Sequence, residues 1–79
     1  PDTVTKIPIS FHKPEDIIRF VDIVNHYDYT IQLVSGNSVV DAKSIIGAFT
    51  VGSADDLEVQ VQDRECQDLL ENLAEYVCE

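Results

Sequence analysis

The sequence predicts an α+β fold: one four-stranded antiparallel sheet with helices packed on one of its faces. Three observations lead there. Segments that alternate with period two, such as Leu57-Glu58-Val59-Gln60-Val61, share the chain with a segment of helical spacing, Ile17, Phe20, Val21 and Val24. The outward positions of the second and fourth predicted strands are Thr30, Gln32, Glu58 and Gln60, so one sheet face is left to water. The 79 residues are 44% hydrophobic, enough for one two-layer core and too short for a second domain, so residues 1–79 are read as a single unit.

The elements follow in the order βαββαβα. Thr3–Ile9 alternates weakly and reads as a first strand. Pro8 has no N–H to give a ladder, which places this strand at a sheet edge or ends it there. Pro14-Glu15-Asp16 opens a helix, with proline in the first turn and acids near the positive end of the dipole. Its buried stripe is Ile17, Phe20, Val21 and Val24, widened by Ile18 and Ile23, and the helix is expected over about 14–26. In the second strand, Tyr29, Ile31 and Leu33 share the inward face. Ser35-Gly36-Asn37 is a hairpin turn in which Gly and Asn can take positive φ. Ser38–Ala42 is the third strand. A short helix over 44–51 is expected to stop at Gly52. Leu57–Val61 is the fourth strand. Asp63 is the expected N-cap of a last helix over 63–78. That helix buries Cys66, Leu69, Leu70, Leu73 and Val77 on one face.

Charge narrows the function classes. Five Lys and Arg against fifteen Asp and Glu leave a net charge of −10. Phosphate backbones and anionic membrane surfaces are poor partners for such a surface. No apolar run approaches the length of a membrane span. Cys66 and Cys78 are too few for a disulfide framework. On one helix they would lie about 18 Å apart along the axis, beyond bridging, so both read as free thiols of a reducing cytoplasm. No cysteine–histidine cluster, calcium loop or phosphate loop is present, so no metal or cofactor is expected. The acids Asp63, Glu65, Asp68, Glu71 and Glu75 read as the wet face of the last helix.

With those elements in place, the order βαββαβα and the run Val40-Asp41-Ala42-Lys43-Ser44-Ile45-Ile46-Gly47 resemble the histidine-containing phosphocarrier protein, HPr, of the bacterial sugar phosphotransferase system. Leu33-Val34-Ser35-Gly36-Asn37-Ser38 is similar to its second hairpin, and Ala42-Lys43-Ser44-Ile45 to the signature around its regulatory serine. The resemblance implies an open-faced β-sandwich with strand order 1-4-2-3 and three helices on one face. The first strand then lies at an edge, in agreement with Pro8.

The carrier motif departs from the pattern. In the family, a histidine just before the first helix carries the phosphoryl group, beside an arginine. Counting back from Phe20 and Val21 without gaps, Lys13 stands at the histidine position and Glu15 at the arginine position. His12 lies one residue early. A protonated lysine amine is a poor phosphoryl carrier, and Glu15 puts an anion where a phosphate would sit. His26 reads as a cation at the negative end of the first helix.

The family's regulatory serine, modified by an ATP-dependent bifunctional kinase and phosphorylase, corresponds to Ser44. The same hydroxyl serves as an N-cap in a purely structural reading. Ile45, Ile46 and Phe49 fall where HPr-like proteins present an apolar patch to partners. The resemblance therefore implies a non-enzymatic, monomeric, cytoplasmic regulatory module. Its partners would be phosphotransferase-system proteins, the serine kinase/phosphorylase or a transcription regulator of carbon-catabolite control. The alternatives are an active phosphocarrier using His12, and a structural module in which Ser44 only caps.

Overall fold

A computed structural model describes residues 4–63 and 65–78. The elements are β1 (Thr5–Pro8), α1 (Pro14–Val24), β2 (Ile31–Ser35), β3 (Ser38–Asp41), α2 (Ile45–Val51), β4 (Glu58–Val61) and α3 (Gln67–Asn72), followed by a 3-10 turn at Ala74–Tyr76. The four strands form one sheet in the order β1-β4-β2-β3, with every pair antiparallel. The expected start of the first strand at Thr3 lies outside the described residues.

Register sorts the two faces. Ile7, Val59, Leu33 and Val40 stand in one row across all four strands, and Lys6, Gln60, Gln32 and Asp41 in the next. The first row turns toward the helices and the second toward water, because successive side chains of a strand point to opposite faces. Ile31, Leu33, Leu57, Val59 and Val61 are buried together with Ile17, Phe20, Val21 and Val24 of α1. Ala48 and Val51 of α2 and Leu69 and Leu73 of the C-terminal segment complete that core. The expected sheet order, its open face and the placement of Gln32 and Glu58 on the uncovered side all agree.

Pro8 fits its edge for a definite reason. The Ile9 N–H donates to Leu57 on the β4 side, while the Pro8 carbonyl accepts from Cys78 N on the outer side. The N–H that proline lacks would point outward, so β1 loses no bond to β4. Ser10 N donates to the Tyr76 carbonyl, and Val77 bridges Ile9. The C-terminal tail thus covers an edge that would otherwise be open.

This docking corrects the expected helix over 63–78. Helix α3 covers only Gln67–Asn72, Cys66 is its N-cap residue, and Asp63 instead uses its carboxylate to accept from Glu65 N. The chain leaves helical geometry at Leu73 because the tail beyond Tyr76 is taken by β1. Val77 is consequently exposed rather than part of a buried stripe, and Leu70 is half-buried while Leu69 is fully buried. Two further expectations change. Helix α1 ends at Val24, where Asn25 Nδ2 donates to the Val21 carbonyl and closes the last turn. Ile18 is exposed.

Gly36 turns the hairpin and Gly52 ends α2 as expected, with two differences of conformation. Gly36 is the one described residue with positive φ, at 56°, so Asn37 does not share that conformation. Positive φ at only the first of the two hairpin residues is the pattern of a type II′ turn. Gly52 has φ −63°, an ordinary right-handed value, so it does not end α2 through the left-handed region. Its need is space, since a Cβ there would meet Ile17 Cδ1 at 2.5 Å.

Three rings pack edge to face: Phe11–Phe20 at 5.2 Å, Phe11–Tyr76 at 5.6 Å and Phe20–Tyr76 at 6.1 Å. Among the described residues, the buried Tyr76 hydroxyl finds no hydrogen-bond partner. Burial first, and the negative charge of Glu75 second, push its pKa up to about 12. We read the Glu75 influence as charge at a distance, since no aligned bond reaches the hydroxyl. Tyr29 is also pushed up to about 12, chiefly by donating to Asp68 Oδ1 at 2.9 Å.

The unfolded chain releases these protons near pH 10 and the folded chain near 12, so between those values the unfolded state binds fewer protons. Stability is accordingly full below about pH 10 and falls as pH rises toward 12. Tyrosinate absorbance should show two groups titrating near pH 12, and urea midpoints should drop over the same interval. Complete tyrosinate development near pH 10 with unchanged midpoints would contradict the assignment.

Candidate functional site

The two regions singled out by the sequence are the loop before α1 and the start of α2. Lys13 occupies the N-cap of α1, with extended φ −154° and ψ 160°, and its side chain makes no capping bond. Pro14 follows at the first helical position, where its missing N–H costs nothing. The Lys13 carbonyl accepts from Asp16 N at 3.0 Å. Asp16, third residue of the helix, turns its carboxylate back to accept from His12 N at 3.1 Å, and only 9% of the residue remains exposed. This is one half of a capping box, displaced by one residue: the acid is present, but the N-cap has no hydroxyl to reciprocate. The pattern of an acid three residues after the N-cap is legible in Lys13-Pro14-Glu15-Asp16, and this role of Asp16 was missed by reading the acids only as partners of the dipole.

His12 therefore stands one residue outside the helix and is exposed, while Lys13 stands at its cap. The Lys13 ammonium lies 3.8 Å from Glu15 Oε2, an ion pair with both side chains more than half exposed. Such a pair contributes little. Phe11 fixes the loop from the other side by packing on Phe20 and Tyr76. At the far end of α1, His26 Nδ1 lies 2.7 Å from the Asp22 carbonyl, at the negative end of the helix.

Ser44 is the N-cap of α2. Its hydroxyl oxygen accepts from Gly47 N at 3.2 Å, and the residue is exposed. The preceding loop is held from several directions. The Asp41 carboxylate accepts from Lys43 N at 2.9 Å, and the Asp41 carbonyl from Ser44 N at 3.1 Å. Lys43 Nζ donates to the Tyr27 carbonyl at 2.6 Å, and Asn25 Nδ2 donates to the Lys43 carbonyl at 3.1 Å. Lys43 thus ties α2 to the end of α1 and serves as a brace. Gly47 is needed close to β3, where an added Cβ would lie 3.2 Å from Val40 Cβ.

Ala48 and Val51 are the buried side of α2. Ile45, Ile46 and Phe49 are 44%, 76% and 43% exposed, so all three apolar residues expected at a partner surface face outward. Ile18 of α1, 49% exposed, is a further large apolar residue on a helix packed against α2. Sequence reading had assigned it to the core stripe. Among the described residues, no group of three or more His, Cys, Asp and Glu side chains gathers to hold a metal. No described helix is long and apolar enough to cross a membrane. Both cysteines are free, Cys66 buried and Cys78 exposed.

Solved structures resemble this arrangement over nearly its whole length. The phosphocarrier protein HPr from Bacillus anthracis str. Ames superposes with a TM-score of 0.72, covering 95% of each chain at 22% identity. The fold is that of HPr. HPr-C-His from Thermoanaerobacter tengcongensis superposes with a TM-score of 0.67 at 22% identity, over 91% of this chain and 90% of that one. No protein-family profile and no curated protein sequence matches the chain. The HPr-like fold brings Ser44 and the exposed side of α2 to the helix-bearing layer that also carries the His12–Lys13 loop.

Proposed function

We propose that this chain is an HPr-like regulatory and binding module, non-enzymatic, that works through Ser44 and the apolar surface of Ile45, Ile46 and Phe49. Its partners belong to bacterial sugar uptake and carbon-catabolite control. The observation that carries the reading is the exposed Ser44 hydroxyl beside three exposed apolar side chains on one short helix. A solvated surface has no use for three such residues in consecutive turns, whereas a docking surface does.

Phosphorylation of Ser44 would add nearly two negative charges at the edge of that surface without removing a core contact. The added charge sits against the free amides of the first turn, so the change is read by a partner rather than by the fold. The carrier role is disfavoured at the other region. The N-cap that the resemblance gives to histidine is occupied by Lys13, the arginine position by Glu15, and the Asp16 carboxylate already takes the His12 amide. An active phosphocarrier using the exposed His12 is the reading this one competes with.

The test combines modification with stability. Incubation with an HPr serine kinase and ATP should add one phosphate to the protein and none to Ser44→Ala. Ser44→Asp should change the unfolding free energy by no more than about 1 kcal/mol, since aspartate caps as well as serine. Affinity for a partner should respond far more strongly. Severe unfolding of Ser44→Asp, or modification unaffected by Ser44→Ala, would reduce Ser44 to a structural cap.

A further inference from the structure

We propose that the outer edge of β3 receives an extended segment of a partner protein as an added antiparallel strand, and that a basic side chain of that segment enters the hollow beside Asp28 and Asp41.

The register shows which backbone groups are left over. Ala42 N donates to the carbonyl of Ile31, the residue directly opposite it, so the bonded pairs of the β2–β3 ladder are Ile31–Ala42, Leu33–Val40 and Ser35–Ser38. Val39 and Asp41 alternate with these and turn their N–H and C=O groups away from β2. Ser44 N takes the Asp41 carbonyl at 3.1 Å. The N–H and C=O of Val39 and the N–H of Asp41 remain for an incoming strand. At the other end of the sheet, the chain's own tail closes β1 through Cys78 N and the Pro8 carbonyl. β3 pairs with β2 alone. Its run Ser38-Val39-Val40-Asp41 has no proline or lysine to blunt the edge, and Val39 is 56% exposed.

Charge decides the occupant. A hollow of about 360 Å³ adjoins this edge, with Asp28, Thr30, Gln32, Val39, Asp41 and Lys43 in its lining. Asp28 and Asp41 form no ion pair among the described residues. The Lys43 ammonium already donates to the Tyr27 carbonyl at 2.6 Å. Thr30 and Gln32 add neutral oxygen acceptors. A guanidinium or ammonium group therefore meets both acceptors and an excess of negative charge. A second copy of this chain is the wrong occupant, since at a net charge of −10 it would set its own acids against these. Directly opposite residues of paired strands share a face. The partner segment accordingly sets an apolar residue against Val39 and, two residues earlier in its own chain, a basic one against Asp41.

Capped heptapeptides of threonine test this, each with one valine and, two residues before it, an arginine, a glutamine or a glutamate. They are titrated into the isotopically labelled protein to about 5 mM while amides are followed by NMR, a concentration that reveals millimolar affinities. The arginine peptide should shift residues 28–32 and 38–41 and slow hydrogen exchange at Val39 and Asp41, the amides the ladder leaves over. It should bind roughly threefold more tightly than the glutamine peptide, the ratio one exposed ion pair supplies, with the glutamate peptide weakest. Methylating the valine nitrogen, whose N–H would donate to the Val39 carbonyl, should abolish binding. The double variant Asp28→Asn/Asp41→Asn keeps an oxygen for Lys43 N; it should erase the arginine advantage and leave the glutamine peptide unchanged. Several results would overturn the proposal: no shifts at the highest concentration, shifts without slowed exchange at Val39 and Asp41, undiminished binding of the methylated peptide, or an arginine preference that survives the double variant. So would slowed diffusion of the protein alone with concentration-dependent shifts at residues 38–41, which would give the edge to a second copy. None of these outcomes depends on whether a kinase modifies Ser44, so the two readings fail separately.

Discussion

Phe20→Ala is expected to destabilise the domain by about 3–5 kcal/mol. A domain of this size has a total stability near the lower end of the ~5–15 kcal/mol range, so the variant should be largely unfolded at ambient temperature. Phe20 is fully buried in α1, four residues after Asp16, and its ring meets both Phe11 and Tyr76 edge to face. Removing it leaves a cavity and withdraws the ring contacts, each worth ~0.5–1.5 kcal/mol beyond burial. The effect reaches the candidate site, because Phe11 holds the loop that presents His12 and Lys13. It also reaches the sheet edge, because Tyr76 precedes the tail that pairs with β1. Urea unfolding followed by circular dichroism measures the loss. A cost below about 1 kcal/mol, the level of an ordinary surface change, would mean that these rings do not anchor the loop and the tail.

Gly52→Ala should cost about 1–3 kcal/mol through crowding, even though the backbone there has an ordinary conformation that alanine adopts readily. The added Cβ would stand 2.5 Å from Ile17 Cδ1 and 2.9 Å from the Ala48 carbonyl oxygen. The isoleucine methyl can swing away; the helical carbonyl can do so only by moving α2. Loss of glycine's freedom in the unfolded chain offsets about 0.4–1 kcal/mol, which leaves a net destabilisation. Pairing Gly52→Ala with Ile17→Val separates the two contacts, since the valine lacks the clashing methyl. Partial recovery in the double variant is expected, with the remainder due to the carbonyl. A Gly52→Ala protein as stable as the parent would contradict the crowding account.

The layered fold was legible because the patterns of the second and fourth strands had only one reading. Val59 sits between Glu58 and Gln60, and Leu33 follows Gln32, so the register that buries Leu33 and Val59 turns Gln32, Glu58 and Gln60 to the uncovered face. Pro8 supplied the edge. The C-terminal segment was not legible in the same way. Gln67–Val77 is rich in helix formers, and nothing local signals that the chain will leave the helix at Leu73. The cause is tertiary: Ser10 N and the Pro8 carbonyl take the tail as a short strand partner. Once the helix ends there, Leu69 faces the core and Leu70 is left half-buried. The stop of α2 at Gly52 was legible, but its reason was not, because the requirement there is a neighbour's proximity, which sequence does not carry.

The candidate site divides similarly. The Ser44 cap was legible from its position before a short helix, and the outward Ile45, Ile46 and Phe49 from the resemblance; the structure shows the other side of that helix, Ala48 and Val51, buried. The Asp16 carboxylate turned back on His12 was visible as a capping pattern but had been assigned to the dipole.

The most direct measurement is intact-mass spectrometry after incubation with phosphoenolpyruvate and the first enzyme of the phosphotransferase system, with a complete HPr as positive control. With Lys13 at the cap and His12 one residue outside the helix, the protein should gain no phosphate while the control gains one. An acid-labile gain of one phosphate that disappears in His12→Ala would contradict the account and make the chain a phosphocarrier.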